Sequence, residues 1–139
     1  MIQYRNFLLS LSILLLCFCG CPSSGGNIGW VEGVVTLDGE PVEGATVRFY
    51  PAGGERGSSG KTDGNGYYEL RQTRSQQGAI IGEHKVTLST KVEADSYGVE
   101  EIEARPETIP KKYLDRKKTE LTKTVESGSN TINLELTSD

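Results

Sequence analysis

Val31-Glu32-Gly33-Val34-Val35-Thr36-Leu37-Asp38-Gly39-Glu40-Pro41, continued by Thr46-Val47-Arg48-Phe49-Tyr50 and by Thr62-Asp63-Gly64-Asn65-Gly66-Tyr67-Tyr68-Glu69-Leu70, is the stretch that decides the fold. Apolar residues alternate around its turns: Val31, Val35 and Leu37 before the first, Val47 and Phe49 after it, Tyr68 and Leu70 after the second. Successive side chains of a strand point to opposite faces, so a period of two across Gly-bearing turns predicts half-buried antiparallel strands. Asp38-Gly39 suits a tight turn with positive φ, and Pro41 presets φ just beyond it. Gly33, inside the first run, predicts a bulge or the close approach of a neighbouring segment.

The same reading extends to both sides. Strands are predicted over Trp30–Leu37, Thr46–Tyr50, Gly60–Thr62, Tyr67–Leu70, His84–Ser89, Leu121–Val125 and Thr131–Leu136, with no helical stretch of useful length. Seven short strands in about 110 residues imply an all-β, antiparallel β-sandwich. In the last of them Ile132, Leu134 and Leu136 are expected inside, and Thr131, Asn133 and Glu135 in water.

The chain has 139 residues, 35 % of them hydrophobic, which is enough for one modest core. Fifteen basic residues stand against 19 acidic ones, a net charge of −4. Phosphate binding needs a basic footprint, so nucleic acid is not an expected partner.

Residues 1–20 read as a targeting segment. Arg5 lies in a polar start, an apolar run from Phe7 to Phe18 follows, and Cys19-Gly20-Cys21 ends it. Twelve residues are too few to span a bilayer as a helix. The end of the run resembles the lipobox of bacterial lipoproteins, with Gly20 as the small residue before cleavage and Cys21 as the acceptor of acyl chains such as palmitate. Phe18 stands where leucine is usual. Of the three cysteines, Cys17 and Cys19 leave with the leader, so the mature chain keeps one thiol, which acylation would consume. Two chains already anchor stably. The resemblance therefore implies a protein tethered to a membrane on its periplasmic or extracellular side. Residues 21–29 have the composition of a flexible tether, and 30–139 form the domain.

Within that domain Val31 to Pro51, then Thr62 to Leu70, resemble the carboxypeptidase regulatory-like family. Gly82-Glu83-His84-Lys85-Val86-Thr87-Leu88 is similar to the family's next strand. Ile109-Pro110-Lys111-Lys112-Tyr113 and Asn130 to Leu136 resemble the ending seen in small envelope lipoproteins that carry this domain. The resemblance implies a transthyretin-like (prealbumin-like) Greek-key sandwich and an accessory, non-catalytic role.

The residues themselves offer little chemistry. His84 is the single histidine, on the strand face of Val86 and Leu88, and reads as a rim residue capping the core. It has neither a second histidine for a metal site nor an evident nucleophile, so no enzyme, metal or cofactor is expected. Asp63-Gly64-Asn65-Gly66 places oxygen ligands at alternate positions like the opening of a calcium loop. The pattern breaks off at Tyr67-Tyr68, and turn capping by Asp63 accounts for it. Trp30, Tyr67, Tyr97 and Tyr113 fall off the inward positions, and with Lys111 and Lys112 they form the candidate partner surface. The long connection from Lys91 to Thr108, acidic and followed by the basic Lys111 to Lys118, is the other place where recognition is expected. These features favour a structural or protein-interaction module of the cell envelope. The alternative is a carbohydrate-binding module, for which the aromatics have to share one groove.

Overall fold

The computed structural model describes residues 27–93 and 102–138 of the chain. The leader, the Gly20-Cys21 junction and Tyr97 lie outside the described residues. Strands follow one another as β1 (Ile28–Leu37), β2 (Glu40–Pro41), β3 (Thr46–Pro51), β4 (Ser58–Lys61), β5 (Tyr67–Glu69), β6 (Ala79–Ile80), β7 (Gly82–Ser89), β8 (Thr122–Val125), β9 (Ser129–Thr131) and β10 (Leu134–Leu136). Among the described residues a single 3-10 turn, Lys111–Tyr113, interrupts them.

β1 is the spine of the first sheet. On one side it pairs antiparallel with β2, β5 and β6, and on the other it pairs parallel with β9 and β10. Its backbone groups divide accordingly. Val31 and Val35 bond to Leu70, Gly66 and Val42, while Trp30, Glu32 and Asp38 bond to Gly128, Ile132 and Leu136. The second sheet runs β4-β3-β7-β8. The two sheets meet at one corner, where Ser59 of β4 and Arg71 just past β5 exchange N–H···O bonds of 2.9 and 2.8 Å. Between the sheets lie Val31, Val35, Val47, Phe49, Tyr68, Leu70, Val86, Leu88, Val125, Leu134 and Leu136, all buried. Each gains about 1.5–3 kcal/mol on leaving water. The inward residues are those that alternation marks, with Leu37 and Ile132 half-buried at the margin.

The first turn is as expected: Asp38 (φ 50°) and Gly39 (φ 86°) both adopt positive φ, which matches the twist of a two-residue hairpin. Gly33 explains itself through its neighbour. A Cβ there would lie 2.0 Å from the Ile132 carbonyl oxygen, which turns in over the strand and accepts a 2.6 Å bond from the Tyr68 hydroxyl. Tyr68 is directly across from Gly33, so its ring covers the space that the missing side chain leaves.

The closing run departs from expectation. It is broken at Ile132-Asn133 into β9 and β10, and both are parallel to β1. At the break the Asn133 side chain replaces the backbone, its Oδ1 accepting from Val34 N at 3.0 Å. Antiparallel pairing throughout is therefore corrected to a mixed first sheet. Among the described residues ten strand segments stand against the expected seven, because of this break and because β2 and β6, two residues each, are too short to show a period.

Candidate functional site

Each sheet turns one face away from the core. On the first sheet, Trp30, Glu32, Val34 and Thr36 of β1 point outward, joined by Tyr67 and Glu69 of β5 and, by register, Thr131 and Glu135. Glu32 and Glu69 are direct cross-strand partners, an arrangement in which like charges repel. The Tyr67 hydroxyl sits between them, 2.8 Å from Glu32 Oε2 and 2.9 Å from Glu69 Oε1. It has one proton and donates to one carboxylate at a time. The Trp30 indole N–H reaches the same Glu32 oxygen at 3.3 Å. The Glu32 hydrogen bond, followed by partial burial and Glu69, holds the Tyr67 phenol well above its ordinary pKa. Beside this cluster, at the corner between the sheets, a recess of about 400 Å³ is lined by Lys61, Asp63, Tyr67, Glu69 and Arg71 among others.

The second outer face has the opposite sign. Thr46, Arg48 and Tyr50 of β3 point outward beside Lys85, Thr87 and Ser89 of β7, Ser59 and Lys61 of β4, and Thr122 and Thr124 of β8. Glu83 is the single carboxylate among these strand positions. The segment after the 3-10 turn folds back over this face. Arg116 places its guanidinium carbon 5.0 Å from the centre of the Tyr50 ring, and Leu114 closes a recess of about 220 Å³ over Thr87 with Arg48 and Lys91 at its margin. The Lys85 ammonium is tied to the Thr119 carbonyl at 3.3 Å. Among the described residues the one ion pair is Lys91–Glu93, so neither Arg48 and Arg116 nor Glu32 and Glu69 have a counter-ion there.

Of the residues singled out in the sequence, Trp30 and Tyr67 come together on Glu32. Tyr113 does not join them. It is 9 % exposed, belongs to the core cluster, and meets the end of β10, where its hydroxyl accepts from Thr137 N at 3.2 Å. Its reading as an outward aromatic is corrected: the 3-10 turn aims it at the space between β7 and Thr137. Lys112 lies over the edge of that ring, 5.1 Å from its centre, and donates to Thr137 Oγ1, while Lys111 is exposed.

His84 is not at the rim. It is fully buried, its ring tilted at 52° to that of Phe49 with the centres 5.6 Å apart, and its Nε2 donates to the Ile80 carbonyl at 2.7 Å. β6, invisible in the sequence, supplies that acceptor. Nδ1 has no partner among the described residues. Asp63 caps its turn, accepting from Asn65 N at 2.9 Å and Tyr67 N at 3.0 Å. No group of three or more metal-ligating side chains is found among the described residues.

The long connection is fastened at its base. Val92 and Arg105 exchange backbone bonds of 3.0 and 2.9 Å. Glu107 then accepts from the Ser89 hydroxyl, from Thr90 N and Oγ1 at 3.0 Å each, and from Ile109 N at 2.9 Å. Burial alone pushes the Glu107 carboxyl up. The Ser89 hydroxyl, the Thr90 and Ile109 amides and the Thr90 hydroxyl together outweigh it and hold the group at about 2. This carboxylate of the acidic connection is a clasp that brings Ile109 and Tyr113 back to the core.

Comparisons of the chain with protein-family models, with curated proteins and with solved structures find no match.

Proposed function

We propose that this chain is a non-catalytic, lipid-anchored binding module of the bacterial cell envelope, held to a membrane through acylated Cys21 and engaging a protein partner with the outer faces of its sandwich. The reading combines the lipobox-like Cys19-Gly20-Cys21 with the resemblance to carboxypeptidase regulatory-like domains. When β9 and β10 are counted as one broken strand and the two-residue segments are set aside, seven strands remain, which agrees with a transthyretin-like Greek-key sandwich. One observation carries the binding role: each outer face bears charged residues of one prevailing sign, set beside an aromatic ring and without counter-ions among the described residues. Such residues add little to folding when exposed and fit a partner that supplies the opposite charge.

The carbohydrate alternative loses ground, because it asks for aromatics gathered in one groove, whereas Trp30 and Tyr67 lie on an outer face and Tyr113 lies in the core. The test has two parts. Cys21→Ala should release the protein from the membrane fraction; retention there sinks the anchor. Cross-linking in intact cells should join the chain reproducibly to one protein species, another protein or a second copy of this chain, and recovery of glycan fragments, or of nothing, refutes the protein-binding role.

A further inference from the structure

The two outer faces are complementary to each other. One carries Glu32, Glu69 and Glu135 with Trp30 beside them and no cation at its strand positions. The other carries Arg48, Lys85 and Arg116, with Glu83 on its strands and Glu107, bonded to Ser89, at one end. Arg48 and Arg116 suit such a surface, because a guanidinium bonds a carboxylate in a fork and also stacks on an aromatic face. Glu32 with Trp30 offers both partners within 3.3 Å of each other. A guanidinium placed over Glu32 and Glu69, on the solvent side of the Tyr67 hydroxyl that lies between them, would also relieve their cross-strand repulsion.

We propose that the partner is a second copy of this chain, the acidic outer face of the β1 sheet in one copy resting on the basic outer face of the β3–β7 sheet in the next. This names the partner of the anchored module described above and rests on that reading for its setting at a membrane. The contact joins different patches, so it is heterologous and propagates into rows instead of closing a dimer. It runs across the sheets, whereas the tether enters at the Ile28 end of β1. A row built by translation therefore keeps every anchor on the same side, as one leaflet requires. The β4-β3-β7-β8 sheet, four strands about 4.8 Å apart and about 20 Å long, together with the returning Leu114–Thr119 segment that covers its middle, offers roughly 400 Å² per copy. That is half of what a stable soluble complex buries per partner. The association therefore belongs to chains concentrated on a surface, and it weakens with salt as the screening length shrinks from about 10 Å at 0.1 M to about 3 Å at 1 M.

The experiment uses the full chain purified from membranes and reconstituted into phosphatidylethanolamine–phosphatidylglycerol vesicles, with a photo-cross-linker in place of the exposed Thr131, the cross-strand neighbour of Glu32. Mixing unlabelled and ¹⁵N-labelled chains separates contacts between copies from contacts within one. Mixed-isotope adducts are expected from position 131 to the β3–β4 or β7–β8 peptides. Their yield should drop at least tenfold in 1 M salt, in Arg48→Glu/Arg116→Glu, and in Glu32→Lys/Glu69→Lys. Combining the two charge-reversed chains should restore it, which also shows that both still fold. Adducts to lipid, to the same acidic face or to no second copy overturn the proposal, as does a yield indifferent to the reversals or a mixture that fails to recover. A chain that elutes from the vesicles without its anchor refutes the anchored reading instead, and the same adducts are then sought at millimolar protein in solution, where their absence overturns the contact itself.

Discussion

Replacing Glu107 by glutamine is expected to cost about 1–2 kcal/mol at neutral pH and almost nothing near pH 2. The carboxylate collects the Ser89 hydroxyl, two backbone amides and the Thr90 hydroxyl, and they hold it at about 2 against an ordinary value of 4.5. A tenfold change in proton affinity is worth about 1.4 kcal/mol, so the displacement sets a ceiling of roughly 3.5 kcal/mol. Water reaches the half-buried side of the group, and screening reduces this to about 1–2 kcal/mol. The sign follows from linkage. The folded value is the lower one, so the stabilisation is complete above about 4.5 and is lost as pH falls through about 2.

The assay is urea unfolding of the two proteins at pH 7, 4 and 2.5, followed by far-ultraviolet circular dichroism, with midpoints compared at constant slope. The midpoints should differ at pH 7 and converge in acid. A gap that stays constant over this range would show that Glu107 acts through shape and not as an anion, and the clasp argument would fail. No gap at any pH would mean that the fastening of Ile109 and Tyr113 does not depend on it at all.

Gly33→Ala should be among the most damaging single changes, about 3 kcal/mol or more, because the new methyl would meet backbone at 2.0 Å and the Tyr68 ring at 3.2 Å; a loss below about 1 kcal/mol in denaturant unfolding refutes the close-approach account. Tyr68→Phe keeps the ring but leaves the Ile132 carbonyl without its 2.6 Å donor, and a loss of about 1–3 kcal/mol is expected; an unchanged midpoint would mean that water replaces the hydroxyl. The Tyr67 phenol, raised first by its Glu32 hydrogen bond, and the Tyr68 phenol, raised by burial, should stay protonated above pH 10 while the unfolded chain ionises. Stability therefore falls as pH rises beyond about 10, and absorbance at 295 nm should show two tyrosines ionising only as the fold is lost; ionisation of every tyrosine while the fold persists would refute this.

Period two located the core because it is a property of single strands. Val31, Val35, Val47, Phe49, Tyr68 and Leu70 needed no knowledge of their neighbours to be placed inside. Gly33 was legible as a close approach for a related reason, since an absent side chain in a strand has few other uses. Pairing direction carries no such local signal. Nothing in Ile132-Asn133 says that the closing run breaks there or lies parallel to β1. Tyr113 was misplaced because Ile109 to Tyr113 has no period to read, and its burial follows from the Glu107 clasp, 18 and 17 residues after its partners Ser89 and Thr90. At the candidate site, the alternation that marks Val47 and Phe49 as apolar positions leaves Arg48 and Tyr50 to the opposite face. The return of Arg116 onto Tyr50, which completes the basic face, depends on a loop path that no pattern announces.

The polar residues of this sandwich divide into two kinds, and the division is itself testable. Asn133 bonds a β1 amide at the break in the last strand, and Thr119 bonds the Val86 carbonyl at 2.8 Å. Asn130 takes Glu126 N at 2.8 Å and gives to Glu126 O and Trp30 O at 2.8 and 3.0 Å. Each completes backbone pairing that strands leave open, and losing such a group exposes an unpaired donor or acceptor at about 1–3 kcal/mol. Glu32 and Glu69 receive only side chains, and no protein hydrogen bond is made by the Arg48 or Arg116 guanidinium among the described residues. Fold stability should therefore separate them. Asn130→Ala should lower the unfolding free energy by about 2 kcal/mol, whereas Arg48→Ser/Arg116→Ser should change it by less than about 1 kcal/mol. If the arginine pair proved as costly to remove as Asn130, its place in the sandwich would be structural and the basic face would lose its claim to a partner.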